Sequence, residues 1–178
     1  SEMCIRDRNI HMERIEIVEV IDNFLPEDIF YFLQNLMESN TFPWYFNDFI
    51  VDENYSLDNY QFTHTFINSS RDIVTTPFHS FISPIVEKLS VKKLERVKAN
   101  LNPRTSTHEE GGYHIDMEDC TTSILYLNTN NGWTEIQGNG KIECVKNRLV
   151  TFDSNLIHSG YTCTDQKRKV VLNFNYVI

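Results

Sequence analysis

Three side chains in this sequence suggest metal chemistry. His114-Ile115-Asp116 sets an imidazole and a carboxylate two residues apart. On an extended strand such residues project to the same face, so both can reach one ion above it. A third donor has to arrive from elsewhere. His158, in His158-Ser159-Gly160, follows a run of short apolar segments; if those are strands that roll up, it returns opposite the first pair. Two imidazoles and one carboxylate take one face of an octahedron and leave the other positions open. A His-x-Asp pair alone is a weak signal, because His11, His64, His79 and His108 show that histidine is not rare here. His64 lies inside an alternating segment and reads as a packed residue rather than a ligand.

Arg168 heads a second constellation, Arg168-Lys169-Val170-Val171-Leu172-Asn173-Phe174. Counting by two from Arg168 gives Val170, Leu172 and Phe174, an apolar row. A cation heading an inward apolar row needs an anion, and a planar guanidinium suits a bidentate carboxylate. The alternative is a solvated Arg168 at a turn, with Lys167 and Lys169 as the next candidates. Thr122, Ile124 and Tyr126 share one face of the strand after His-x-Asp. A Tyr126 hydroxyl inside a barrel needs a partner, either a carboxylate held by Arg168 or a backbone group. Trp133 and Asn100 are candidate substrate contacts.

The elements that must position these groups can be read in order. Residues 1–11 have no periodicity and resemble adapter sequence, so Met12 is the expected native start and 12–178 the expected single domain, with its metal-binding core at about 95–178. Met12 to Ile21 alternates like a strand. Pro26 suits a first helical turn, with Glu27 and Asp28 behind it, and Ile29, Phe32, Leu33, Leu36 and Met37 give the helix an apolar stripe expected to pack on a sheet. Phe42 to Phe49 is an aromatic cluster, read as a core corner or one wall of a cleft. Val51 to Asn59 reads as loop and Tyr60 to Ile67 as strand. Thr76 to Leu89 reads as a second amphipathic helix, which Pro84 must kink or split. Leu94 to Asn102 is a strand and Pro103 to Gly112 a polar loop. From Tyr113 onward short strands alternate with turns at Asn128–Gly132, Gly138–Gly140, Lys146-Asn147 and Ser154-Asn155, which argues for an antiparallel sandwich or small barrel.

Composition narrows the classes further. The chain has 178 residues, 40% hydrophobic and 23% charged, ordinary for a globular protein. A net charge of −9 and a pI of about 5.1 disfavour a nucleic-acid surface. No apolar run approaches the ~20 residues that span a bilayer. No signal-peptide pattern is present, so a cytoplasmic location is the default expectation. Cys4, Cys120, Cys144 and Cys163 match no zinc template and read as reduced thiols. Oligomeric state is left open.

Taken as a set, His114-Ile115-Asp116, Thr122 to Asn128, Gly132 to Ile136, Asn147 to Asp153, His158-Ser159-Gly160 and Arg168 to Tyr176 resemble the 2-oxoglutarate and Fe(II)-dependent dioxygenases, in their prolyl-4-hydroxylase-like branch. The resemblance covers Ala99 to Ile178 and is looser before that. It implies an α+β, mainly β, double-stranded β-helix of jelly-roll or cupin-like form, with N-terminal helices packed on one sheet. It implies Fe(II) on His114, Asp116 and His158, and 2-oxoglutarate held by Arg168 and Tyr126. O2 would be the co-substrate and ascorbate a stimulant. The implied activity is hydroxylation of an unactivated C–H bond on a peptidyl proline, amino acid or small metabolite, with 2-oxoglutarate decarboxylated to succinate and CO2. Where the branch commonly has Gly-Gly-Thr, Trp133 replaces the second glycine. Phe174 stands where nucleic-acid demethylases of the superfamily carry a second arginine, which argues against that branch. The competing readings are a non-enzymatic cupin-like binding barrel and a metal-dependent hydrolase.

Overall fold

Pleat alternation decides which side chains meet in this protein, because its long strands have a different environment on each face. A computed structural model describes residues 18–51, 60–71, 73–74 and 77–178. The expected leader, the beginning of the first strand and most of the Val51–Asn59 loop lie outside the described residues. In chain order the elements are β1 (Glu19–Ile21), α1 (Glu27–Glu38), β2 (Tyr45–Asn47), β3 (Gln61–Asn68), β4 (Ile73–Val74), α2 (Ser83–Lys88), β5 (Lys93–Pro103), β6 (Thr121–Tyr126), β7 (Trp133–Ile136), β8 (Gly140–Glu143), β9 (Leu149–Asp153), β10 (His158–Tyr161) and β11 (Arg168–Val177). An antiparallel eight-stranded sheet runs β1-β9-β6-β11-β5-β3-β2, with β4 on β3, and a three-stranded sheet runs β10-β7-β8. This is the expected double-stranded β-helix. No helix among the described residues is long and apolar enough to cross a membrane.

One face of the large sheet carries the main core. Val170, Leu172 and Phe174 of β11, Val97 and Ala99 of β5, and Leu125 of β6 pack there against Phe30, Leu33 and Met37 of α1 and Ile85 of α2. The stripe on α1 is rotated from the expected one. Phe30 is buried and Phe32 is 58% exposed. At 100° per residue, Phe30, Leu33 and Met37 form one stripe and Phe32 falls well off it, where it meets Phe81 with ring centroids 5.6 Å apart. The second helix is split, as Pro84 requires. A 3-10 turn at His79–Ile82 precedes α2, and Pro84 sits in the first turn of α2. Phe42 makes the aromatic corner, against Trp44, His64 and Phe78.

The opposite face of the large sheet looks toward the small sheet. A second core cluster there joins Ile124 and Tyr126 of β6, Val150 and Phe152 of β9, Ile136 of β7 and Val171 of β11. The rest of that face is polar, and it builds the site.

Asn147 fastens the N-terminal segment to the barrel. Its Oδ1 accepts from Leu25 N at 2.9 Å and its Nδ2 donates to Leu25 O at 2.8 Å. Its own backbone is left-handed, with φ 60°. Asn147→Ala is expected to cost about 2–4 kcal/mol, by orphaning both Leu25 groups and straining the backbone. Asn147→Gly, which loses only the hydrogen bonds, should cost about 1 kcal/mol less. Denaturant melts of the three proteins measure both differences.

Candidate metal centre and its cavity

His114 and Asp116 lie in the irregular segment between β5 and β6, and His158 begins β10. An isolated antiparallel bridge pairs His114 with His158. His114 N donates to His158 O and His158 N donates to His114 O, both at 3.0 Å. The two rings thus leave neighbouring backbones, with centroids 4.6 Å apart. His114 Nε2 lies 3.7 Å from Asp116 Oδ1, and His158 Nε2 lies 3.6 Å from Asp116 Oδ2. Both gaps fall inside the ~4.2 Å that two metal–ligand bonds of about 2.1 Å can span. The three donors converge, as expected from the sequence.

The tautomers suit a cation. Gly112 O lies 2.9 Å from His114 Nδ1, and Leu156 O lies 3.1 Å from His158 Nδ1. A carbonyl oxygen can only accept, so each Nδ1 carries the hydrogen and each Nε2 keeps its lone pair toward Asp116. Burial pushes the His158 imidazole below its ordinary pKa and keeps it neutral. Burial pulls His114 the same way, but Asp116 and the Gly112 carbonyl outweigh it and raise its pKa. A bound cation would take the place of that proton.

Asp116, with 4% of its side chain exposed, sits in a cage of donors from the large sheet. Arg96 Nη2 gives a hydrogen bond to Oδ1 at 2.7 Å, and Asn173 Nδ2 gives one to Oδ2 at 2.9 Å. Asn175 Nδ2 and Thr122 Oγ1 stand 3.4 Å from Oδ2. Arg96 Nε also bonds Asn175 Oδ1 at 2.9 Å. Burial would favour the neutral acid, but His114, His158, Arg96 and Asn173 overcome it and hold the carboxyl far below the usual range. Sequence reasoning missed this cage. Its signal was Asn173 and Asn175 alternating with Leu172 and Phe174, since an amide on a buried strand requires a partner.

The triad opens into a cavity of about 350 Å³, lined from the large sheet by Arg96, Lys98, Asn100, Asn102, Lys169 and Asn173. Here the structure separates the neighbouring cations of β11, placing Lys169 and not Arg168 on the cavity wall. Arg168 lies on the helix-facing side of β11, with Val170 and Leu172, and its guanidinium stands 3.3 Å from Glu38. Lys169 points into the cavity instead. The apolar row counted from Arg168 is the main core, whereas the site uses the alternate, polar row. Lys169 is 3% exposed. Its Nζ donates to Trp133 O at 2.7 Å and to Tyr161 O at 3.0 Å. Burial pushes the ammonium below its ordinary pKa, with only Cys144 and Cys163 acting in the other direction. No carboxylate faces it among the described residues.

Tyr126 faces into the barrel, as expected, but lies one layer behind the cavity wall. It is fully buried and donates to Thr134 Oγ1 at 2.7 Å, and Thr134 lines the cavity. Burial raises the pKa of the phenol, so it stays a neutral donor. Asn100 lines the cavity. Trp133 does not. It alternates outward from Thr134, stacks on Tyr161 at 4.4 Å and lies under Lys141 Nζ at 3.9 Å, on the outer face of the small sheet. Phe49 and Ile50, after β2, reach the cavity and form one wall of the cleft.

No family model matches the sequence, and no curated protein matches it either. Solved structures do match the fold. A prolyl-4-hydroxylase from Pseudomonas putida superposes with a TM-score of 0.58 at 14% identity, over 92% of this chain and 94% of that one. A Trichoplax adhaerens prolyl hydroxylase, in complex with a hypoxia-inducible-factor peptide fragment, gives 0.58 at 16% identity over 89% and 83%. An oxidoreductase of the 2OG-Fe(II) oxygenase family from Burkholderia pseudomallei gives 0.67 at 10% identity over 90% and 84%. This chain therefore has the fold of the 2-oxoglutarate–Fe(II) oxygenases in its prolyl-hydroxylase-like form, a double-stranded β-helix with its helices on one sheet.

Proposed function

We propose that this protein is a 2-oxoglutarate- and Fe(II)-dependent oxygenase that hydroxylates an unactivated C–H bond. One observation carries the reading. The cavity holds two imidazole Nε2 atoms and a carboxylate around one point, and a buried ammonium with no anion among the described residues stands in the same space. The first set fits a first-row divalent metal with open positions. The second fits the far carboxylate of a diacid, since a buried cation is costly without an anion. A cupin-like binding barrel or a hydrolase needs the first feature and has no use for the second.

In this reading His114, Asp116 and His158 hold the iron, and Lys169 takes the distal carboxylate of 2-oxoglutarate, the role expected of Arg168. Thr134 adds a hydroxyl beside it, oriented by the Tyr126 phenol. Arg96, Asn173, Asn175 and Thr122 keep Asp116 ionised and aimed at the metal. Ile124 and Val171 make the intervening wall apolar, which strengthens each charged contact inside. When bound, iron and 2-oxoglutarate supply an oxidation in which decarboxylation to succinate and CO2 drives transfer of an oxygen atom from O2 into a C–H bond. No side chain has to act as a strong base.

The test is succinate release from 2-oxoglutarate, with Fe(II), O2 and ascorbate supplied. Succinate should form slowly without substrate and stop when the metal is chelated. Absence of succinate under every metal and substrate condition, from protein that binds both metal and 2-oxoglutarate, would leave the cupin-like reading standing.

A further inference from the structure

We propose that Lys169 and Cys144 form a covalent modification site, at which a peroxide joins Nζ to Sγ as a sulfenamide. The site stands on contacts within this chain; its effect on the co-substrate rests on the oxygenase reading above. The pair sits in the wall between two cavities. Lys169 and Gly160 line the one at the triad. Cys144 borders a second, of about 650 Å³, together with Gly132, Trp133 and Arg148. The main chain sets the contact. Cys144 N donates to Gly132 O at 3.3 Å, and the next carbonyl, Trp133 O, accepts from Lys169 Nζ at 2.7 Å. Nζ thus ends beside the Cys144 side chain, to which it is hydrogen-bonded. Both residues are buried, with 3% and 1% of their surface exposed.

The geometry aims one group at the other. Trp133 O and Tyr161 O can only accept, so a neutral Lys169 amine gives its two hydrogens to them. Its lone pair is left for the direction that Cys144 occupies. Burial, with no carboxylate facing the nitrogen among the described residues, favours that neutral form. Moving one proton from sulfur to nitrogen makes the thiolate that oxidation needs, with the ammonium beside it. Cys163, the other nearby thiol, gives its hydrogen to Gln166 O at 3.5 Å instead. Gly160 keeps the approach from the triad cavity open, since a Cβ there would come 3.5 Å from Nζ.

The chemistry balances in two steps. The peroxide transfers one oxygen to the thiol, which gives up two electrons and becomes a sulfenic acid, and the second oxygen leaves as water. The amine lone pair then attacks sulfur, the S–O bond breaks, and the hydroxide leaves with an amine proton as a second water. An S–N bond remains, and a thiol reductant restores both groups. The cross-link consumes the ammonium, so the cavity loses its cation for a carboxylate. Bound 2-oxoglutarate, in turn, draws the ammonium to its own carboxylate and keeps the nitrogen protonated.

The experiment uses the full chain, reduced and then treated with hydrogen peroxide, with and without Mn(II) and 2-oxoglutarate. The intact mass should fall by two hydrogens, and digestion should give a single peptide that joins Cys144 to Lys169 and is parted by dithiothreitol. Cys163→Ala should cross-link like the native chain, and Cys144→Ala should not. The half-saturating 2-oxoglutarate concentration, read from the thermal midpoint of the Mn(II)-loaded protein, should rise about a hundredfold after oxidation and return after reduction. At about ten times its half-saturating concentration, 2-oxoglutarate should slow the cross-linking about tenfold. Peroxide that leaves the mass unchanged, or that adds oxygen to Cys144 while Lys169 stays free, overturns the proposal. So does a link from either residue to Cys163. A Lys169–Cys144 link that leaves the 2-oxoglutarate response unaltered keeps the site and overturns Lys169 as the co-substrate anchor. Mapping the link on the native chain decides the matter even if Cys144→Ala folds poorly.

Discussion

An Asp116→Ala variant should lose metal binding by well over 100-fold and show no succinate release above background, yet remain folded. The size follows from what the residue supplies. It is the only anionic donor of the triad, and removing mere supporting partners of a metal ligand already costs about 10–100-fold. The survival of the fold follows from how the other two ligands are held. His114 and His158 are fixed by reciprocal backbone bonds and by the carbonyls on their Nδ1 atoms, none of which involves Asp116. The variant does strand Asn173 Nδ2 and one arm of Arg96. Arg96 keeps 23% side-chain exposure and can turn to water, so the stability loss should be about 1–3 kcal/mol. Calorimetric titration with Mn(II) measures the first effect and a denaturant melt the second. A variant that binds Mn(II) like the native chain would remove Asp116 from the site.

The second large effect separates two adjacent cations. Lys169→Met should raise the 2-oxoglutarate requirement by about two to three orders of magnitude, the cost of leaving the partner of a buried charge pair unmatched. Arg168→Met should change it by less than about twofold. Arg168 lies across the sheet from the cavity, in a half-exposed pair with Glu38, and such pairs contribute about 0–1 kcal/mol to stability and nothing to the cavity. Succinate release against 2-oxoglutarate concentration tests both. Lys169→Met should also remove the thermal stabilisation that 2-oxoglutarate gives the Mn(II)-loaded protein. If Arg168→Met produced the large effect and Lys169→Met none, the strand would have to be turned over.

These two cations also show how far the sequence could be read. The fold class, the triad and the inward face of β6 were legible because each rests on periodicity within one segment or on donors whose types restrict one another. The parity of β11 was not. Both of its rows are buried, one among apolar helices and the other among polar site residues, so an apolar row heading away from a cation reads as the inside from either direction. The amides in the other row held the answer, because Asn173 and Asn175 have to be satisfied, and polar groups opposite them do it: Asp116 for Asn173, and Thr122 and Arg96 for Asn175. Trp133 misled for a related reason. Its neighbour Thr134 carries the functional face, and a large aromatic draws attention from a small hydroxyl. The α1 stripe was nearly right, since Leu33, Leu36 and Met37 suit two neighbouring stripes and only the packing partners choose Phe30 over Phe32. The donors around Asp116 come from three strands and could be assembled only by their pairing.

The reciprocal bond pair between the His114 and His158 backbones has a consequence for metal choice. Donors held apart by the main chain do not rearrange around whichever ion arrives. Such a site selects by ligand type, and two imidazoles with one carboxylate are acceptable to Fe(II), Co(II), Ni(II) and Zn(II) alike, with the later ions generally gripped harder. Under the proposed function, metal supply would decide which ion occupies the site, and nickel or zinc would compete with iron for it.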